Sequence, residues 1–162
     1  MTNTEKLAAI ELIKQLKARY LRFIDTKDYE GLATVFTKDA VMDLRRAMEK
    51  ARWAKTVTTK AKEAASDSGG WLFKGPAAIV KFVRGSTHGA VTVHRGLMPE
   101  IDVMSATTAR GIWAQEDFIQ WSDGPRLRSL HGFGHYHETY KRVAGLWLIK
   151  STVMTRLRVD IA

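Results

Sequence analysis

Apolar residues recur along the first part of the chain with a helical period and along the last part with an alternating one. Over residues 4–26, Ile10, Leu12, Ile13, Leu16, Tyr20, Leu21, Phe23 and Ile24 fall on one wide arc at about 100° per residue, which predicts an amphipathic helix. Glu11, Gln15, Arg19 and Arg22 fill the opposite side. Asp25 falls at the edge of the apolar arc, beside Leu7 and Leu21, close to the negative end of the helix macrodipole. Asp28 is a fitting N-cap for a short second helix, YEGLATVF. AVMDL, at 40–44, alternates like a strand, and residues 45–65 read as helical. SDSGG at 66–70 is a loop, and Pro76 opens a third helix expected over about 76–83.

From Val91 the period falls to two. VTVHRGLMPEIDVMS, TARGIWAQEDFIQW, LHGFGHYHETYKRV and LWLIKSTVMTRLRV read as four strands, with turns at Asp123-Gly124-Pro125 and Ala144-Gly145. Helices followed by a run of strands predict an α+β domain, one curved antiparallel sheet with helices on one side. At 162 residues and 45% hydrophobic content the chain suits one domain, 1–162, with one core.

Composition then removes whole classes of chemistry. With no cysteine there is no disulfide, thiol nucleophile or thiolate metal site. The start of the chain has no signal-peptide pattern and no segment is apolar over a membrane-spanning length, so a cytoplasmic protein with no membrane partner is expected. The net charge of +9 is spread along the chain without interleaved aromatics, which favours a basic solvated surface over a nucleic-acid site. No phosphate loop, dinucleotide fingerprint, HExxH or Gly-x-Ser-x-Gly is present.

Chemistry therefore rests on His, Asp, Tyr and Arg. His135 and His137 share one strand face, a spacing that could ligate a metal, but without a second ligand cluster a mixed polar pocket or solvated face is the better reading, and no metal site is expected. His94, at a strand start, could be paired by Asp25, since a carboxylate on one ring nitrogen leaves the other as a base. Tyr20 could border the same cavity, and Arg156 could place a cation there. The alternative for each is an ordinary packing role.

The stretches LIKQLKARYLRFIDTKDYEGLATVFTKDAVMDL, VHRGLMPEIDVMSATTARGIWAQEDF and GHYHETYKRVAGLWLIKSTVMTRLRV resemble the SnoaL-like branch of the nuclear transport factor 2-like superfamily. The resemblance spans nearly the whole chain except about residues 46–66, a basic insertion that could be a lid carrying Trp53. It implies a cone: a curved sheet wrapped around helices, enclosing one apolar pocket. It further implies a cofactor-independent lyase of the dehydratase and dehydrochlorinase type. His94 would be the base, oriented by Asp25 and assisted by Tyr20 and Arg156. Trp113, His135, Met42, Trp53 and Trp71 would line or close the pocket around a hydrophobic aromatic or polycyclic substrate. A double-bond isomerase and a non-catalytic binding module are the alternatives on the same fold. A homo-oligomer, dimer or trimer, is also expected, with Trp113, Phe118 and Trp147 as its apolar surface.

Overall fold

The structure, a computed structural model, describes residues 1–48, 62–63, 70–122 and 128–162. Trp53 and most of the 46–66 insertion lie outside the described residues.

Helix α1 runs Asn3–Asp25 and opens with a capping box, Thr2 and Glu5 each accepting from the other's backbone N–H. It buries Ile13, Leu16, Tyr20, Leu21 and Ile24, as its periodicity predicts. Leu12 departs from the predicted arc and is exposed, whereas Lys17 is buried. Helix α2 (Tyr29–Thr34) is capped by Asp28, whose carboxylate accepts from Gly31 N at 2.8 Å. Strand β1 follows at Phe36–Asp43, earlier than the alternating AVMDL segment indicates, because the inward set begins with Phe36. A turn of helix, α3, spans Arg45–Met48. The three-residue β2 (Leu72–Lys74) leads directly into α4 (Gly75–Thr87), with Pro76 in its first turn. Four long strands complete the chain: β3 (Ala90–Val103), β4 (Thr108–Trp121), β5 (Arg128–Val143) and β6 (Leu146–Ile161).

The six strands form one curved, unclosed sheet in the order β2-β1-β6-β5-β4-β3. Neighbours are antiparallel except β1 and β6, which pair in parallel, so the expected all-antiparallel sheet has one parallel junction. The concave face packs on α1, α2 and α4 around a core that includes Ile13, Leu32, Phe73, Ile79 and Ile149, all fully buried.

The inward-facing rows carry the functional polarity. His94 on β3 sits opposite Asp117 on β4, and Asp117 sits opposite Gly132 on β5. Trp113 and Trp147 are each only 4% exposed in the core, so they cannot supply the oligomer surface expected of them. Phe118 is half-buried and meets His131 edge-on.

Candidate active site

Asp25 is the last residue of α1, and the turn that ends the helix aims its carboxylate at β3. Oδ1 lies 2.7 Å from His94 Nδ1 and accepts from Thr92 Oγ1 at 2.9 Å, while Oδ2 accepts from the His94 backbone N–H at 2.9 Å. Three partners on one strand fix both the carboxylate and the imidazole. Burial alone would raise the Asp25 pKa, but the side-chain and backbone hydrogen bonds from His94 and the bond from Thr92 outweigh it and hold it below the usual carboxylate value. A neutral imidazole in this arrangement donates Nδ1–H to Asp25 and keeps the lone pair on Nε2.

His94 lines a cavity of about 110 Å³ inside the cone. That is far more than the ~10–15 Å³ a single water requires. The walls are mostly apolar, with Ile24, Met42, Leu44, Trp71 and Phe82 among them. The polar lining includes Tyr20, Tyr136, Asp117 and Arg156. Tyr20 and Tyr136 meet edge to face, with ring centroids 6.3 Å apart. Burial pushes both phenols well above their ordinary pKa, so both remain proton donors.

Arg156 reaches this cavity from β6 and is clamped by Asp117. Nη1 and Nη2 donate to Oδ1 and Oδ2 at 2.5 and 2.8 Å, and Gln115 Oε1 accepts from Nη1 at 2.9 Å. Burial would raise the Asp117 carboxyl, yet hydrogen bonding and charge from Arg156 hold it low, with a further contribution from His94. Arg156 is therefore the cationic half of a buried ion pair at the cavity wall. The pair exists because Gly132 has no side chain: a Cβ there would stand 2.3 Å from Arg156 Nη1 and 2.4 Å from Asp117 Oδ1.

The fold brings Tyr20, His94, Arg156, Met42 and Trp71 to one cavity, with Asp25 directly behind His94. Two expected lining residues go elsewhere. His135 lies on the outer sheet face beside His137, ring centroids 6.2 Å apart, because its neighbour Tyr136 points inward and adjacent strand residues face opposite ways. Trp113 points inward but lies outside that cavity, donating from Nε1 to Tyr140 Oη at 2.7 Å. Among the described residues no three His, Asp or Glu side chains group in a way that could hold a metal ion.

The structure adds four polar participants, Thr92, Asp117, Gln115 and Tyr136, that carry no motif in the sequence. Alternation was the available signal, since Gln115 and Asp117 share the face of the buried Trp113.

Fold and site together define a cone with a carboxylate-oriented histidine at the wall of a largely apolar cavity. The chain belongs to the SnoaL-like domain family, whose pattern matches residues 5–153; Arg156 lies three residues beyond it. A candidate scytalone dehydratase from Novosphingobium aromaticivorans DSM 12444 is 18% identical, with 98% of this chain and 91% of that one covered at a TM-score of 0.76. A hexachlorocyclohexane dehydrochlorinase, LinA type 2, is also 18% identical, covering 99% and 93% at 0.75. LinA-type3 of Novosphingobium barchaimii LL02 is again 18% identical, covering 99% and 94% at 0.73. At these identities the likeness is one of fold. Among the described residues no helix is long and apolar enough to cross a membrane.

Proposed function

We propose that the chain is a cofactor-independent lyase that eliminates a leaving group, water first among candidates, from a hydrophobic aromatic or polycyclic small molecule. The observation that carries this reading is the 2.7 Å contact between Asp25 and His94 Nδ1 at the wall of a largely apolar cavity. His94 Nε2 takes the substrate proton, and the Asp25 carboxylate offsets the imidazolium that results. Tyr20 donates to the leaving oxygen or to a developing oxyanion, and Tyr136 is placed to do the same from the facing strand. Arg156 adds a fixed guanidinium whose orientation Asp117 and Gln115 set. Loss of a small carbonyl fragment by a retro-aldol-type step would use the same base and oxyanion donors.

The test is a thermal-shift panel of steroids, diaryl compounds, aromatic polyketides and halogenated hydrocarbons, followed by turnover of every hit. Wild type and His94→Ala should bind the same compound, with turnover falling about 10²–10⁴-fold in the variant, the usual size of a general-base contribution. A compound bound by both proteins and changed by neither would instead make the chain a binding module.

A homo-oligomer belongs to the same reading. Val91, Val93 and Leu97 form an exposed apolar strip on the outer face of β3 that a second copy would cover. Sedimentation velocity should give a mass above one chain for wild type and a single-chain mass for Val93→Asp.

A further inference from the structure

We infer that Lys27 is a positioning residue for the His94–Asp25 pair, acting through Thr92 as a counter-charge that holds down the protonated form of His94. The catalytic meaning rests on the lyase reading above; the electrostatic claim does not.

The observation begins with backbone geometry. The end of α1 is a Schellman turn: Asp28 N–H donates to Phe23 O at 2.9 Å, and Lys27 N–H to Ile24 O at 3.2 Å. The residue after the cap in such a turn adopts a left-handed conformation, and glycine is the usual occupant because any Cβ is strained there. Here the position is held by lysine at φ +61°. A strained residue that persists where glycine would fit points to a use for its side chain.

That side chain folds back toward the site. Lys27 Nζ donates to Thr92 Oγ1 at 2.7 Å and reaches the Ile24 carbonyl at 3.4 Å. Thr92 is buried, and its single hydroxyl proton goes to Asp25 Oδ1 at 2.9 Å. The result is a continuous line of polarisation: ammonium, hydroxyl, carboxylate, imidazole. Each link orients the next, so Thr92 presents its proton to Asp25 because its lone pair is taken by Lys27.

Charge explains the need. Asp25 from α1 and Asp117 from β4 are two carboxylates in the field of the same imidazole, and His94 is among the groups that hold both low. Arg156 from β6 is committed to Asp117. On the other side, Lys14, Lys17 and Arg22 of α1 and Arg95 of β3 line an open groove that reaches Asp25 and His94; Lys17 is paired with Glu138 of β5 and Arg95 with Glu116 of β4. The hydroxyls of Tyr20 and Tyr136 complete the surroundings and stay neutral. Lys27 is the cation tied to Asp25 by a hydrogen-bonded link. A general base has to be unprotonated before the substrate arrives, and Lys27 favours that state without weakening the grip of Asp25 on Nδ1.

The deciding experiment is an NMR titration of the His94 ring in wild type, Lys27→Gly and Lys27→Met, with the resonance identified by its loss in His94→Ala. Lys27→Met keeps the strained backbone and removes the charge; Lys27→Gly removes the charge and relieves the backbone. At the wild-type midpoint, the ratio of protonated to neutral ring should rise about three- to tenfold in both variants, as loss of a nearby counter-charge requires. Lys27→Gly should also keep or exceed the wild-type Tm. An unchanged midpoint in either variant would overturn the inference, since a purely structural helix-end lysine moves stability and not His94. If the midpoints shift while His94→Ala retains full turnover, the lyase reading fails and the electrostatic role of Lys27 stands.

Discussion

Asp25 and Asp117 are two carboxylates that burial alone would make weaker acids and that their partners hold below the usual carboxylate range. The consequence for stability has a definite sign. A carboxyl whose folded-state pKa is depressed adds stability that is complete above its unfolded value, near 3.9, and is lost as pH falls through the folded value. Urea unfolding should therefore give a stability that drops progressively below about pH 4 as these two groups take up protons. Asp117→Asn should flatten that acid slope. At neutral pH it should cost about 3–5 kcal/mol, because it removes the carboxylate that offsets the buried Arg156 charge. Of these residues Asp25 and His94 were legible in the sequence, where a carboxylate at the margin of an apolar helix face and a histidine at a strand start are both conspicuous. Thr92 and Lys27 were not: a threonine in a strand and a lysine after a helix are ordinary, and their meaning lies in the turn that folds one onto the other.

Strand β5 shows what an element contributes beyond its residues. Gly132 lies between Asp117 on one neighbour and the last strand on the other, and the Arg156–Asp117 pair crosses over it. Gly132→Ala should push the two partners apart and cost about 1–3 kcal/mol, the usual penalty for overpacking, with chemical denaturation as the measure. A methyl there should also blunt the acid slope, because Asp117 loses its clamp. Periodicity delimited α1, α2 and the four long strands closely, since each has enough turns or alternations to establish a pattern. It undershot α4, whose last turn is Gly85-Ser86-Thr87, and it missed β2, which at three residues has no period to detect. Alternation also separates His135 from Tyr136, so one buried neighbour was enough to place His135 outside.

Across the molecule, α1 is tied to the sheet twice. Its end is held by the Asp25 contacts with β3, and its middle by Lys17, which meets Glu138 of β5 at 2.6 Å with both side chains essentially fully buried. The Lys17 ammonium also lies 3.5 Å from the Tyr136 ring centroid, and Glu138 accepts from Tyr140 at 2.6 Å. A buried ion pair is costly to halve and cheap to replace whole. Lys17→Met alone should therefore lose about 3–5 kcal/mol, while Lys17→Met with Glu138→Leu should recover most of it; a double-mutant cycle in urea reads the difference. No sequence pattern announced this pair, because its partners lie far apart in the chain and a lysine on a helix is by default a surface residue.

The parallel junction between β1 and β6 governs the order in which the molecule can assemble. The sheet's last strand in chain order, β6, is not an edge strand; it fills the slot between β1 and β5. Until it arrives, β1 and β5 both present open backbone edges. Phe36 must wait for Ile149. Such remote pairing makes for slow folding. The cavity that His94 serves is completed only when β6, which brings Thr152, Met154 and Arg156 to its wall, has paired with β1 and β5.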